Sequence, residues 1–290
     1  MKKIKNVSLY VNRERDAGGT YTRAAADVLL SHGAAVKMLA RDRDVVAEHI
    51  DIFKFVDNID GLLSGADALV MLGGDGTMLD VCGEAAKRGV PVLGINLGHL
   101  GFLTSVERNE TDKISALFTG EYTVEERMMC DVSVADGDMT KTFAALNEAT
   151  VFSSTSSKVA SFSISCDGRR VINFNADGII VSTPTGSTAY SLSAGGPIID
   201  PSTELVCVTP ICPHVLGSRP IVFSADSVIE ISGRTDSADT GINVTVDGRE
   251  QIHASENATV TVRRSPLKTK IIKIGADRFF DIVNTKLYNR

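Results

Sequence analysis

The sequence predicts an α/β N-terminal domain with a parallel sheet, followed by a β-rich, sandwich-like C-terminal domain. Three observations lead there. Over the first third, short apolar runs alternate with stretches of helical periodicity, the pattern of strands joined by crossover helices. From about Tyr122 the pattern changes to alternating segments rich in Val, Ser and Thr. Those segments are punctuated by the pairs Asp136-Gly137, Asp167-Gly168 and Asp247-Gly248, which are hairpin signals because both residues tolerate positive φ.

In chain order, residues 7–11 form the first expected strand. Thr20–Ser31 carries Ala24, Ala25, Val28 and Leu29 at helical spacing, and Gly33 supplies a stop. Residues 68–72 are a continuous apolar strand that runs into Gly73-Gly74-Asp75-Gly76-Thr77. A helix is expected over 78–87 and a further strand over 90–95. The polar stretch from Glu107 to Glu121 marks the expected boundary, giving domains at 1–120 and 121–276. The amphipathic residues 277–290 are expected to form a terminal helix that packs back on the first domain.

The chain has 290 residues, 43% of them hydrophobic and 23% charged, which is enough for a substantial core. A net charge of -6 argues against broad adhesion to nucleic acid or anionic lipid, so a phosphate ligand must be held by local geometry. The five cysteines show no CxxC spacing and are expected to be reduced and mostly buried. The opening Met1-Lys2-Lys3 leads into too short an apolar run for a signal peptide, and no segment approaches the ~20 apolar residues of a membrane span. A cytoplasmic protein without membrane or nucleic-acid partners is expected.

Three motifs carry chemistry. The Gly-Gly-Asp-Gly turn places bare backbone amides and the Asp75 carboxylate at the edge where open α/β sheets bind ligands, and Gly74 and Gly76 let a phosphate approach the main chain. It matches neither the P-loop nor the usual dinucleotide fingerprint. An isolated turn of this kind is often only a tight bend with a helix cap. The second motif runs from Asp177 to Pro197 and crowds seven Ser or Thr residues plus Tyr190 between 182 and 193, a supply of neutral donors and acceptors for sugar and phosphate. The third is Asn147-Glu148, after the apolar Phe143-Ala144-Ala145-Leu146; alone, such a pair is ordinarily a surface turn. His99, between leucines, reads as structural, and Arg263, Arg264 and the lysines from 268 to 273 read as a solvated face.

Together, Gly73 to Gly76, Asn147-Glu148 and Asp177 to Gly196 resemble the NAD kinase family in content, order and spacing over nearly the whole chain. The resemblance implies a phosphotransferase that moves a phosphoryl group from ATP or polyphosphate to the 2′-hydroxyl of the adenosine ribose of NAD. It implies Asp75 as the carboxylate that accepts the hydroxyl proton. It also implies nucleotide contacts at Gly74, Gly76, Asn147, Glu148, Lys158, Asn175, Asp177, Thr188, Ala189, Tyr190, Ser191, Leu192, Ser193, Asp247 and Arg249, with Tyr190 offering a face for stacking. The donor would bring a divalent cation, Mg²⁺, without an all-protein metal cage. A nucleotide cleft between the domains and a homo-oligomer, dimer or tetramer, are further implications. The alternatives are a lipid kinase of the diacylglycerol type, which shares the Gly-Gly-Asp-Gly loop, and a non-catalytic dinucleotide sensor.

Overall fold

The computed structural model describes residues 4–49, 51–98, 101–154, 160–234, 241–275 and 279–288, the side chains of 47–49 excepted. Two compact units emerge: residues 1–126 with 269–290, and residues 127–268. The chain therefore changes unit at 126/127 and returns at 269, where sequence patterning placed the changes at 120 and 277. Both crossings lie inside long strands, which leave no break in composition to mark them.

The first unit is a doubly wound parallel sheet. Strands β1 (Asn6–Val11), β2 (Ala35–Leu39), β3 (Lys54–Val56), β4 (Ala68–Gly73) and β5 (Val92–Asn96) lie in the order β5-β4-β1-β2-β3. All four pairings are parallel, and strand order reverses between β1 and β4, the place where such sheets bind ligands. Helices α1 (Thr20–Ser31) and α2 (Ile59–Leu63) precede β2 and β4. Helix α3 spans Asp75–Arg88 and starts three residues before the expected 78, because extended Gly74 serves as its N-cap and Asp75-Gly76-Thr77 form its first turn. Every residue of β4 and β5 is buried, as strands covered on both faces must be. A short strand β6 (Val106–Glu107) pairs with β5, and helix α4 is Ala116–Thr119.

The second unit is antiparallel. The hairpin of β7 (Thr123–Asp136) and β8 (Met139–Ala145) turns at the expected Asp136-Gly137. Strands β9 (Glu148–Ser153), β10 (Ala160–Cys166), β11 (Arg169–Ala176) and β12 (Gly178–Ser182) follow. After helix α5 (Tyr190–Ser193) come β13 (Leu205–Ile211), β14 (Ile221–Ser224), β15 (Ile229–Arg234), β16 (Ile242–Val246), β17 (Glu250–Ala254) and β18 (Thr259–Lys273). One face of the sandwich is a six-stranded sheet, β14-β13-β12-β9-β16-β17; the other contains β11-β10-β15-β18. Phe162, Ile164, Val151, Ile179, Val208, Val244 and Val260 fill the space between them. Asp167 and Gly168 both adopt positive φ, 52° and 73°, so this hairpin uses the turn its sequence announced.

No disulfide joins the five cysteines: Cys82, Cys130 and Cys207 are buried, Cys166 half-buried and Cys212 exposed. Burial pushes the Cys130 thiol up to about 12, which leaves it unreactive. The chain closes with α6 (Phe279–Val283) and one turn of π-helix to Tyr288, within the first unit.

Candidate active site

In the first unit, the Asp75 carboxylate is held on both oxygens. The Phe102 N–H donates to Oδ2 at 2.8 Å and the Leu103 N–H to Oδ1 at 3.1 Å. The acid thus leaves its own helix and anchors to the loop after β5, with its plane fixed and two of its four acceptor positions still available. Gly101 makes this possible, since a Cβ there would overlap Asp75 Oδ1. The anchoring loop is braced from the C-terminus: Phe279 packs on Phe102, the Lys286 ammonium sits 4.2 Å from the Phe102 ring centroid, and Ser105 donates to the Ile272 carbonyl at 2.9 Å.

The glycine turn is tied to the loop after β1. Thr77 Oγ1 accepts from the Gly74 N–H at 3.4 Å and from Asn12 Nδ2 at 3.0 Å. The Arg15 guanidinium lies against Gly74 and Gly98, where a Cβ on either would collide with Nη1. Gly76 is exposed at the start of α3, and Asp80, one turn further on, is exposed as well.

In the second unit, the Asn147-Glu148 pair is buried rather than a surface turn, with 8% and 7% exposure at the start of β9. Asp247 holds it there. Its carboxylate accepts the N–H groups of Leu146 and Asn147, both at 2.8 Å, and of Glu148 at 3.0 Å. Asp247 is therefore spent on positioning the pair, with a strained φ of 50° in the turn before Gly248. From the other side, Thr183 donates through Oγ1 to the Leu146 carbonyl at 2.6 Å and through its N–H to the Asn147 carbonyl at 2.9 Å. Gly186 packs so closely on Asn147 that a Cβ would overlap its carbonyl oxygen.

Burial pushes both acids of this cluster up. Three backbone donors oppose the rise at Asp247. Glu148 accepts the Tyr190 N–H while its Oε2 has no hydrogen-bond partner, and burial together with the neighbouring Asp247 carboxylate pushes its pKa up to about 8.

The hydroxyl-rich segment divides by direction. Ser182, Thr183, Thr185, Ser187 and Ser191 are buried, and the structure uses them internally: Ser191 pairs with Thr209 at 3.0 Å, and Ser187 bonds Ile199. Thr188, Ala189 and Leu192 are half-buried and Ser193 is exposed. Tyr190 is 41% exposed and stacks on Phe152, with ring centroids 6.3 Å apart, leaving a face open. Asp177 is exposed at the start of β12, with its main chain bonded to Ser153 and Ile211. Asn175 is exposed on β11 and Arg249 beside Gly248. Lys158 and His99 lie outside the described residues.

Sequence reasoning passed over Asn12, Arg15, Gly101 and Gly186. For Arg15 a signal existed: it lies in the loop after the C-terminal end of a parallel strand, the edge where ligands bind.

A doubly wound sheet with a glycine-aspartate turn at its C-terminal edge, in a chain that also folds a sandwich around a buried Asn-Glu turn, defines a nucleotide-handling phosphotransferase architecture. The N-terminal domain model of ATP-NAD kinase matches residues 5–122, and the C-terminal domain model of ATP-NAD kinase matches residues 146–274. The NAD kinase of Caldanaerobacter subterraneus subsp. tengcongensis is 37% identical over 99% of this chain and 100% of its own length. That of Symbiobacterium thermophilum is 40% identical over 76% of this chain and 78% of its own. Among solved structures, the Archaeoglobus fulgidus NAD kinase in complex with ATP is similar at a TM-score of 0.74 and 25% identity, covering 98% of this chain and 97% of that one. The yeast NADH kinase complexed with NADH shares the fold at a TM-score of 0.84 and 23% identity, covering 100% of this chain and 89% of that one. The chain belongs to the NAD kinase family.

Proposed function

We propose that this protein is an NAD kinase that transfers a phosphoryl group from ATP or polyphosphate to the 2′-hydroxyl of the adenosine ribose of NAD. The observation that carries the reading is the Asp75 carboxylate, fixed by two backbone amides beside the glycine turn. A ribose hydroxyl is a weak nucleophile. Asp75 aligns it, and as the bond from O2′ to phosphorus forms and the bridging P–O bond of the donor breaks, the hydroxyl proton passes to the carboxylate. NADP and the shortened donor are the products. Asn147, Glu148, Asp177 and the open face of Tyr190 hold the dinucleotide, while Asp247 acts through the turn it clamps.

A divalent cation, Mg²⁺, would come with the donor, whose phosphate oxygens would be its main ligands. Bound there, the ion would neutralise charge on the polyphosphate. Among the described residues no helix is long and apolar enough to cross a membrane. A cytoplasmic homo-oligomer, dimer or tetramer, is the assembly proposed on family resemblance.

The test is NADP formation by the purified protein supplied with NAD, Mg²⁺ and ATP, with polyphosphate in a parallel reaction. Product with either donor supports the reading. NAD binding without product would leave a dinucleotide sensor instead.

A further inference from the structure

We propose that Arg15 is a ligand for the phosphate chain of the phosphoryl donor, its guanidinium receiving the terminal phosphates beside Gly74 and the N-terminus of α3. This deepens the NAD kinase reading and rests on it.

Placement comes first. Strand order reverses between β1 and β4, and the loops leaving these two strands carry Arg15 and the glycine turn. The Arg15 loop is built rather than incidental. Its backbone N–H bonds the Asn12 carbonyl and Asn12 Oδ1, both at 3.2 Å, and Asn12 reaches across to Thr77. Next along the chain, buried Asp16 accepts from the Thr22 N–H at 2.8 Å and from Thr22 Oγ1 at 2.7 Å, which pins the loop to α1. The result is a guanidinium whose Nη1 lies 2.7 Å from a Cβ built on Gly74.

Electrostatics then poses a conflict. Helix α3 is 14 residues long, and its N-terminus carries the positive end of the helix dipole, a position that favours anions and disfavours cations. Arg15 sets a permanent positive charge there. No described carboxylate forms an ion pair with it, although its neighbour Arg13 pairs with Asp44. Asp75 is turned away to the amides of Phe102 and Leu103. A cation held at a helix N-terminus is unfavourable until an anion joins it, and a planar fork of N–H donors matches two phosphate oxygens at once. In a chain of net charge -6, it also supplies locally the attraction that the whole protein lacks.

ATP and inorganic polyphosphate share this chemistry, so both are probes. Equilibrium binding of ATP, tripolyphosphate and AMP is measured with wild-type protein, Arg15→Gln and Arg15→Lys, alongside KM for donor and for NAD. Arg15 is exposed, so melting temperatures should match. Arg15→Gln should weaken ATP binding about 10- to 100-fold and AMP less than about threefold, leave KM for NAD unchanged, and be partly rescued by Lys. A parallel loss for tripolyphosphate means that the arginine reads the bare phosphate chain; a loss for ATP alone means that it reads a chain placed by its nucleoside. Unchanged ATP binding in Arg15→Gln, a wild-type protein that binds neither donor, or weakening confined to NAD would overturn the proposal. Because binding is measured directly, a wild-type protein that forms no NADP yet loses ATP affinity in Arg15→Gln would refute the kinase reading and leave the phosphate ligand standing.

Discussion

Replacing Glu148 with Gln should make the protein more stable at pH 8 and leave its stability at pH 5 nearly unchanged. Glu148 is 7% exposed, faces the Asp247 carboxylate, and has one oxygen without a hydrogen-bond partner. Its pKa is pushed from the ordinary 4.5 up to about 8. Between those two pH values the folded protein holds a proton that the unfolded chain has released, so the contribution of this group to stability falls as pH rises through the window and is fully lost above it. At ~1.4 kcal/mol per pH unit the ceiling is about 5 kcal/mol, and water penetration around the ionised group reduces the expected value to roughly 2–4 kcal/mol. Glutamine keeps an acceptor for the Tyr190 N–H, stays neutral at every pH, and can turn its amide toward Asp247. Urea unfolding followed by circular dichroism at pH 5, 6.5 and 8 measures the difference between variant and wild type, in which other titrating groups cancel. The difference should grow steadily with pH. Coincident midpoints at pH 8 would refute the reasoning, because they would mean that Glu148 ionises in place without cost.

Two other substitutions probe separate parts of the account. Gly101→Ala places a methyl where Asp75 Oδ1 now sits, so kcat should fall at least ~10-fold while NAD binding persists; an unaltered kcat would show that the anchored position of Asp75 is not the working one. Asp42→Asn removes a carboxyl that has no solvent exposure and no hydrogen-bond partner and whose pKa is raised by burial, with Arg41 Nε 3.8 Å away. It should stabilise the protein on the order of 1 kcal/mol at pH 7.5, with the gain vanishing below the ordinary carboxylate range; destabilisation at pH 7.5 in a urea titration would count against it.

Local signals in the sequence were strong wherever local physics decides structure. The apolar spacing of Ala24, Ala25, Val28 and Leu29 gives helix α1, and the Asp-Gly pairs give three hairpins, because both depend on neighbours in the chain. The start of α3 was misplaced because glycines beside an aspartate look like a loop until extended Gly74 is seen to cap the helix. The motif residues Asp75, Asn147, Glu148 and Tyr190 stand out in the sequence, but the contacts that hold them in place do not. Asp75 is oriented by amides 27 and 28 residues away, and the Asn147-Glu148 turn by Asp247 about 100 residues away. The hydroxyl crowd read as one binding surface, yet burial turns Ser182, Thr183, Thr185, Ser187 and Ser191 inward and leaves Thr188, Tyr190 and Ser193 at least partly facing out. Arg15 has no motif of its own; its meaning comes from contact with Gly74 and Gly98, which only the tertiary fold creates.

The central claim, that a carboxylate anchored beside the glycine turn accepts the ribose proton, is tested most directly by comparing Asp75→Asn with wild type for NAD affinity and for NADP formation in the same preparation. The account predicts NAD binding within about twofold of wild type and turnover reduced ~10²- to 10⁴-fold, since asparagine preserves shape but cannot take the proton. Turnover close to wild type would contradict it and remove Asp75 from the chemistry.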